Sequence, residues 1–521
     1  KTGFTLSEVN EAYADVMANI NKRFGDLSLS ANIGGSFTQT YYDERGFQGG
    51  LKDMSNVFSL YNMTTTLDKD TYPIESGYKQ RTNSIFASAE IGWKSMLYMT
   101  LTGRNDWDSA LINTEQSSFF YPSIGLSGVI SEMVKLPKAI TYLKVRGSFA
   151  SVGAPIPKNL SSNKTYEWDP ATSQWKLQTY RPLPKLYPER TNSWEAGLNA
   201  KFFNNSLSLE VTWYKANTRK QTFQVPLSGT AVYATMYAQS GNIENKGMEF
   251  SLGYNKSWGD FSWNSNLTFS FNKNKIVELL DDAVDDEGNH YSLSEIDKGG
   301  IGSAKVILRK GGSMGDMYVT NRLKRDNEGN VYIDKASQNV KKEDIKNSDE
   351  FIHIGSVLPK SNLGFRNDFS YKGISLGFML AARFGGIVIS PTQAVMDQFG
   401  VSKVTALARD NEGVPVNNGK VDPQTYYTEV GGISGLMSNY VYSATNVRLQ
   451  ELSVGYSLPA KWFNNKCNLS LSITGHNLWM IYNKAPFDPE ATASTGTYYQ
   501  GVDYFMQPSL RSWGFNVKIQ F

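Results

Sequence analysis

The last stretch of the chain, "RSWGFNVKIQF" (511–521), alternates between apolar and hydrophilic residues. Its apolar members occupy every second position: Trp513, Phe515, Val517, Ile519 and Phe521. Successive side chains of an extended strand point to opposite faces, so these residues share one face. Chain termini usually fray into water, whereas this terminus ends on an aromatic ring that needs apolar surroundings. The stretch therefore predicts a β-strand whose apolar face meets either a protein core or lipid.

The same period of two recurs along the whole chain. In "FSWNSNLTFSFN" (261–272) and "LSLEVTWY" (207–214), apolar residues again alternate with Ser, Thr, Asn and Glu. Strands longer than about five or six residues exceed the usual globular length, and many of these run to ten or more. The pattern predicts fifteen strands, near residues 13–23, 27–39, 79–93, 95–105, 118–132, 140–152, 190–203, 206–218, 243–256, 260–274, 361–371, 374–386, 444–458, 467–481 and 511–521.

The composition agrees with an all-β protein and argues against other classes. Aromatic residues make up 13% of the 521 residues, and helix-favouring runs are scarce. No apolar run approaches the roughly twenty residues that a membrane-spanning helix requires. The formal net charge is only +3 and no long basic run occurs, so nucleic acid is not expected as a partner.

The connections between the predicted strands alternate strictly between short and long. Tight turns such as "FGD" (24–26), "WKSM" (93–96) and "YKGI" (371–374) alternate with excursions near 40–78, 153–189, 275–360, 387–443 and 482–510. Transmembrane β-barrels show this asymmetry, with short periplasmic turns and long extracellular loops. A soluble multi-sheet protein is the alternative, but it would have shorter strands and comparable loops at both ends. We therefore expect a transmembrane antiparallel β-barrel with Phe521 facing lipid.

The strand count suggests that these residues form only part of a barrel. Alternating turns make the first and last predicted strands run toward the same rim, so the count is odd. Bacterial single-chain barrels have even strand numbers. We therefore expect at least one further strand before residue 1.

Seven collinear stretches resemble the C-terminal half of SusC/RagA-type TonB-dependent transporters. These are "LTGRNDWDSALINTEQSSFFYPSIGLSGVISE" (101–132), "YLKVRGSFASVG" (142–153), "ERTNSWEAGLNAKFFNNSLSLEVTWYKANTRKQ" (189–221), "GNIENKGMEFSLGYN" (241–255), "IGSVLPKSNLGFRNDFSYKGISLGFMLAARFGG" (354–386), "NVRLQELSVGYSLPAKW" (446–462) and "ITGHNLWMIYNKAPFDPE" (473–490). Each falls on a predicted strand or rim, and together they span nearly the whole chain.

The resemblance implies an architecture, a location and a set of partners. Members of that family sit in the bacterial outer membrane as barrels of 22 strands, closed by an N-terminal plug and coupled to TonB. They work with a SusD-like surface lipoprotein that acts as a lid. On this basis residues 1–521 are expected to be the C-terminal portion of the barrel, with the plug domain and the first strands not present in this chain.

Two groups of residues are the candidate site residues. Aromatic side chains in the long loops can stack on sugar rings or grip peptide side chains, although packing within loops is the plainer explanation for each of them. The candidates for substrate binding are Trp168, Trp175, Tyr180, Tyr426, Tyr427, Tyr498 and Tyr499. The terminal set of Trp513, Phe515, Val517, Ile519 and Phe521 looks like the signal by which the outer-membrane assembly machinery recognises its substrates.

Hydrophilic residues on the opposite strand faces suit a hydrated lumen. This set includes Ser208, Glu210, Thr212, Asn264, Asn266, Ser470, Ser472 and Thr474. They line a passage without defining any chemistry, and no catalytic residue is assigned.

No cofactor or metal is expected. "RDNEG" occurs at 325–329 and at 409–413, and acidic residues cluster at 281–287, which raises the question of a loop calcium site. The spacing of an EF-hand is absent, and Asp-Asn-Glu-Gly is ordinary turn chemistry, so we favour turns. Cys467 is the single cysteine, and the histidines are scattered, which gives an enzyme little support. "GGIGSAK" (299–305) lacks the ending of a phosphate-binding loop and is interpreted as a flexible loop.

The sequence thus predicts a TonB-dependent importer of oligomeric nutrients, with glycan as the first expectation for the cargo and peptide as the second. Two alternatives stay open. The first is a TonB-dependent siderophore or cobalamin receptor, which would share the barrel without the lid. The second is a secreted, soluble all-β carbohydrate-binding protein.

Overall fold

The computed structural model describes most of the chain. The described residues are 2–64, 66, 71–112, 114–158, 160–161, 166–169, 174–177, 180–181, 186–226, 235–284, 290–464, 466–496 and 499–521. For 167–169, 176–177, 180–181, 224–226, 235–236, 238, 240, 281–284 and 290–291 only the backbone is described.

Fifteen long strands of the described chain form one antiparallel sheet in which each strand pairs with its neighbours in sequence. They are β1 Thr2–Phe24, β2 Leu27–Gly49, β3 Tyr72–Trp93, β4 Leu97–Asp108, β5 Ser118–Val129, β6 Ile140–Ala154, β7 Glu189–Phe202, β8 Leu207–Pro226, β9 Thr235–Trp258, β10 Phe261–Glu278, β11 Ser361–Tyr371, β12 Ile374–Phe384, β13 Asn446–Ser457, β14 Asn468–Asn483 and β15 Ser512–Gln520. These are the fifteen strands predicted from the alternating pattern, so the predicted all-β fold class is confirmed.

The predicted boundaries were too short at the long-loop ends. β1 begins at Thr2 rather than near residue 13, and β3 begins at Tyr72 rather than near residue 79. β8 continues to Pro226, and β9 already begins at Thr235. The physical reason is visible in "TLSEVNEAYA" (5–14), where both faces carry polar residues. Backbone pairing continues there, while the apolar alternation that marks a strand in sequence has faded.

The sheet is an open path and not a closed ring. Within the described residues, β1 pairs only with β2, and β15 pairs only with β14. Tyr180–Arg181 adds a short parallel pairing to β9 at Thr235 and Met236.

The residues in the short turns account for the tight reversals of the backbone. Gly25, Gly259 and Gly373 take positive φ values, as do Lys94 with Ser95 and Asn204 with Asn205. A left-handed backbone lets two antiparallel strands reverse within two to four residues, and Gly and Asn adopt it at little cost.

The long loops contain their own secondary structure among the described residues. The loop strands are Tyr166–Asp169, Gln174–Leu177, Tyr180–Arg181, Leu280–Val284, His290–Leu293, Glu295–Ile301, Ala304–Arg309, Asp316–Val319, Asn321–Leu323, Ile333–Asp334, Asn339–Val340, Lys342–Asp344, Ile352–Ser356, Ile387–Ile389, Val414–Val416, Gly419–Val421 and Val441–Ser443. The α-helices are α1 Ile130–Met133 (in a short connection), α2 Pro391–Gln398, α3 Lys403–Asp410 and α4 Pro423–Val430. Short 3₁₀ turns occupy Leu60–Asn62, Ser109–Leu111, Ser348–Glu350, Met437–Tyr440 and Ala460–Phe463.

Local sequence signals start the loop helices. Ser390 and Ser402 cap α2 and α3 by accepting hydrogen bonds from the amides of Gln393 and Thr405, and Asp422 caps α4 in the same way. Each cap satisfies an amide that the first helical turn leaves without a partner. None of these helices is long or apolar enough to cross a membrane, nor is any other helix in the described ranges.

The largest buried core lies in the loops rather than in the sheet. It joins residues from β8 to β10 with the excursions after β10 and after β12, for example Ile276, Val306, Val357, Ile389 and Met437. Burial of such side chains contributes about 1.5–3 kcal/mol each relative to exposure, before entropy is counted. These long loops are therefore folded structures that pack against the long-loop ends of β8–β10.

The stretch 299–305 is part of this core, which corrects its interpretation as a flexible loop. Ala304 is fully buried and Ser303 nearly so, and the segment turns between two paired strands, Glu295–Ile301 and Ala304–Arg309. Gly302 has φ +57°, and a Cβ built on it would come within 1.9 Å of the Ile433 carbonyl oxygen. The glycines serve a tight, closely packed hairpin turn.

Candidate functional site

The register of the sheet separates the side chains into two faces. Directly paired residues point to the same side, so Glu210, Ser251 and Thr268 form one row across β8–β10, and Val211, Phe250 and Phe269 form the neighbouring row on the other side. We call the surface that carries Glu210, Thr212, Asn264, Asn266, Ser470, Ser472 and Thr474 the polar face, and the surface that carries Val211, Phe250, Leu267, Ile473 and Val517 the apolar face.

The predicted lumen residues all belong to the polar face. Ser470 and Ser472 lie opposite Lys518 and Asn516, whereas Leu471 lies opposite Val517 on the apolar face. Ser208 and Asn266 both pair with Gly253 of β9. The register therefore places these side chains together on one face of the sheet, as the alternating pattern predicted.

A cavity of about 750 Å³ lies along the polar face of β6–β11. Its polar lining includes Arg146, Glu195, Glu210, Thr212, Tyr214 and Glu249. The Arg146 guanidinium donates to Glu210 Oε1 at 3.2 Å and to Thr212 Oγ1 at 2.7 Å. Three carboxylates against one guanidinium make this sector of the wall acidic.

Sequence reasoning singled out Glu210 and Thr212 but missed Arg146, Glu195 and Glu249. Each lies in a strand that was predicted, at a position of the correct parity. What was lacking was the register that pairs Asn199 with both Lys144 and Glu210, and so places Arg146 within reach of Glu210. Period two assigns a face, but only the pairing between strands assigns neighbours.

A second polar network lies on β3–β5, nearer the long loops. Asp106 accepts hydrogen bonds from Arg104 Nε at 2.7 Å and from the Tyr121 hydroxyl at 2.6 Å, and Arg104 also donates to Ser84. Asp106 is nearly buried, so this pairing compensates the desolvation of its charge. The network links the side chains of three neighbouring strands.

A third network lies on β11, β13 and β14. Arg366 donates two hydrogen bonds to Asp368, at 2.9 and 3.0 Å, and a longer one to Glu451 at 3.4 Å. His476 Nδ1 is 3.9 Å from the second Glu451 oxygen. The polar face thus carries ion pairs spread over many strands rather than a single reactive centre.

The candidate loop aromatics are divided among separate loops. Trp168 and Trp175 lie opposite each other on the hairpin of Tyr166–Asp169 and Gln174–Leu177, and the Trp175 side chain is exposed. The side chains of Trp168 and Tyr180 and all of Tyr498 lie outside the described residues. Substrate binding by this group stays a prediction.

Tyr426 and Tyr427 are neighbours on α4, with ring centroids 5.2 Å apart and the planes at 87°. Tyr426 packs against the small core of Val340, Val430 and Leu436, and this burial raises the pKa of its hydroxyl despite an opposing hydrogen bond with Asn439. Tyr499 lies on the last loop, where its hydroxyl donates to the Lys298 carbonyl oxygen at 3.0 Å. The contacts that the structure describes for Tyr426 and Tyr499 are therefore contacts between parts of the loops.

A buried polar cluster that no sequence pattern predicted lies between α2 and the last loop. The Gln393 amide donates to Asp397, and the Ser390 hydroxyl donates to Asp503, with all four side chains buried. Burial and the adjacent Asp397 carboxylate raise the pKa of the Tyr440 hydroxyl, so this group stays protonated and donates. The cluster joins the last loop to α2.

The terminal aromatic set lies on the apolar face of β15. Trp513, Phe515, Val517 and Ile519 are exposed, and Phe521 is 98% exposed. The Trp513 ring covers Gly475 of β14, since a Cβ built there would meet the ring at 2.9 Å. A role in assembly stays a prediction.

Among the residues that the structure describes, no three His, Cys, Asp or Glu side chains form a set that could hold a metal ion. The "RDNEG" stretches form turns: the Asp326 carboxylate accepts from the amides of Glu328 and Asn330, and Glu412 and Gly413 take positive φ values after α3.

Together these features define a class of protein, the antiparallel β-barrel, of which this chain forms an open part with one polar face, one apolar face and elaborate loops at one rim. Residues 3–306 match the family described as TonB dependent receptor-like, beta-barrel. The chain belongs to this family, which confirms the resemblance seen in its sequence and places it in the outer membrane.

Comparisons over most of this chain agree with that assignment. The chain is 26% identical over 541 residues to TonB-dependent receptor P3 of Formosa agariphila, covering 96% of this chain and 51% of that protein. It is 22% identical over 479 residues to TonB-dependent receptor SusC of Bacteroides thetaiotaomicron, covering 86% of this chain and 44% of SusC.

Solved structures show the same fold. One of them is the RagAB peptide transporter, at a TM-score of 0.72 and 19% identity, covering 99% of this chain and 56% of that one. The present chain therefore spans about half the length of the relatives and structures that it resembles.

Proposed function

We propose that this chain is part of a TonB-dependent importer that carries oligomeric nutrients across the outer membrane, with glycan as the first expectation and peptide as the second. The observation that carries the proposal is the continuous polar face, with its cavity of about 750 Å³, in a chain of this receptor family. A hydrated, charged wall suits passage of a hydrophilic cargo. The RagAB peptide transporter, which shares the fold, is named for a peptide cargo and supports peptide as one of the two candidates.

We propose further that the strands completing the barrel come from sequence outside residues 1–521. Two observations support this. The edges β1 and β15 each leave one side without a partner among the described strands, and unpaired backbone groups are not tolerated in hydrocarbon. The relatives are also about twice as long, which leaves room for the remaining strands of a 22-stranded barrel and for a plug that contacts TonB.

The long-loop rim offers a surface for a SusD-like lid lipoprotein. Phe399, Val401, Val404 and Leu407, in and before α3, are between 49% and 73% exposed. Contiguous exposed apolar side chains typically mark a protein contact. We assign this patch, the α3 patch, to the lid.

Growth experiments test the import proposal. Deletion of the gene for the whole protein is expected to abolish growth on one class of oligomer, oligosaccharide or oligopeptide, while growth on the corresponding monomer is unchanged. Restoring the gene is expected to restore this growth only in cells that have TonB. A defect confined to iron-depleted or cobalamin-limited medium would overturn the proposal in favour of a siderophore or cobalamin receptor.

Co-purification tests the lid. The double variant Val404→Glu with Leu407→Glu places charges in the α3 patch and is expected to lose a co-purifying lipoprotein. Lys403→Glu, on the same helix, is the matched control because it adds the same charge outside the apolar patch. Equal recovery of the lipoprotein with all three proteins would refute this assignment.

A further inference from the structure

A groove of about 550 Å³ interrupts the apolar face at the short-turn end of β3–β6. Its walls are apolar: Trp93, Leu97, Leu126 and Val145 from the strands, and Ile130 and Met133 from α1. All four strand residues point to the same side, as the pairs Leu97–Trp93 and Val145–Gly128 show. The groove is distinct from the cavity on the polar face.

Two glycines on the apolar face create the depth of the groove. Gly128 lies opposite Leu97, and Gly147 lies opposite Leu126. Neither has a positive φ, so the backbone does not require glycine at these positions. A Cβ on Gly147 would meet only the Glu195 carbonyl oxygen, at 3.8 Å, so there is free space above it. A larger residue fits there and would fill the groove.

The residues beside the groove are of the kinds typical of the level where a membrane meets water. Trp93 ends β3, and tryptophan is enriched at the depth of lipid headgroups. The next residue, Lys94, places its ammonium 5.2 Å from the Trp93 ring and 3.5 Å from Asp26. Lys135 and Lys138 are exposed in the connection that follows α1.

We propose that this groove binds one acyl chain of a glycerophospholipid from the periplasmic leaflet, with the lipid phosphate near Lys94. The groove is continuous with the apolar face, which in a receptor of this family contacts the membrane. Short turns face the periplasm in such barrels. Lipid tails are as apolar as leucine, so preference for one site comes from the fit of the chain and from the headgroup charge rather than from hydrophobicity.

Native mass spectrometry of the complete, detergent-purified protein tests the proposal. The delipidated protein is incubated with phosphatidylglycerol, and the copies of lipid retained are counted. Gly147→Leu is expected to reduce the retained lipid, and Lys94→Gln to reduce it roughly fivefold, as for loss of one lysine near anionic lipid. Gly125→Leu is the matched control, since its Cβ lies among Thr100 and Ser148 on the polar face.

Fluorescence gives a second readout that does not depend on filling the groove. Phosphatidylglycerol with a brominated acyl chain quenches tryptophan on contact, and the quenching of the wild type minus that of Trp93→Phe reports the groove. Wild type is expected to show saturable quenching of Trp93. Equal lipid retention in Gly147→Leu and Gly125→Leu, or quenching of Trp93 that never saturates, would overturn the proposal and leave only a bulk lipid contact.

Discussion

Arg448 and Asp488 form a buried ion pair, with Arg448 Nη2 2.9 Å from Asp488 Oδ1. Arg448 belongs to β13, and Asp488 belongs to the loop between β14 and β15. Arg448 also contacts Glu490 Oε2 at 2.9 Å and Asn446 at 3.3 Å. Arg448, which is almost entirely excluded from water, therefore ties the first part of the last long loop to the barrel wall.

Replacing Arg448 is expected to loosen this loop, most of all around Asp488 and Glu490. Arg448→Met leaves the Asp488 carboxylate buried without its cation, and loss of one partner of a buried pair costs about 3–5 kcal/mol. Hydrogen exchange measures the result as a fall in the opening free energy of residues 484–511. The rest of the sheet is expected to keep its protection.

An exposed ion pair provides the control. Lys372 and Asp260 are 3.9 Å apart at a short turn, and both side chains are more than 60% exposed. Lys372→Met is expected to cost at most about 1 kcal/mol. Similar exchange in the two variants would mean that the Arg448 pair does not hold the loop.

The same pair makes the loop sensitive to acid. Burial favours a raised pKa for Asp488, but hydrogen bonds from Ser509 and the Glu490 amide, together with Arg448, bring its pKa below the usual value. A carboxyl with a lowered pKa in the folded state stabilises that state above its unfolded pKa, and the contribution is lost as pH falls through the folded pKa.

Pepsin digestion across pH 2–5 tests whether this stabilisation is lost as the pH falls. The range is roughly that over which an ordinary aspartate titrates. Cleavage within 484–511 is expected to begin only as the pH falls below the usual aspartate pKa. Asp488→Asn is expected to be cleaved throughout the range. An Asn variant with the wild-type pH profile would assign the acid sensitivity to another group.

The two faces of β14 are expected to respond differently to charge. Ile473 is on the apolar face and Ser472 on the polar face of the same strand. Arginine on the lipid side costs about 2–4 kcal/mol near the membrane midplane, whereas a lumen position tolerates it. Ile473→Arg is expected to lower the folded fraction in lipid vesicles, measured by heat-modifiable gel mobility, while Ser472→Arg stays near wild type.

The sequence was sufficient to locate all fifteen strands, because one face of each meets lipid and the other meets water. The sequence was not sufficient where the strand faces no longer differ in polarity. The polar start of β1 and the folded long loops were missed, since the loop core joins Val306, Val357 and Met437 from distant positions with no periodicity. Contacts such as Arg146 with Glu210 depend on register, which period two leaves undetermined.

The terminal residues allow a final prediction about assembly. Phe521 and Gln520 are adjacent, but alternation places the phenylalanine with Ile519 and Val517 on the apolar side, and the glutamine opposite Asn468. If the assembly machinery reads the apolar set, Phe521→Asp in the full-length protein reduces the amount in the outer membrane, whereas Gln520→Asp does not. Immunoblots of membrane fractions measure both. Refolding of the purified variants into detergent separates recognition from stability: a recognition signal predicts normal refolding of Phe521→Asp, and a refolding defect of the same size would assign the residue to the stability of β15 instead.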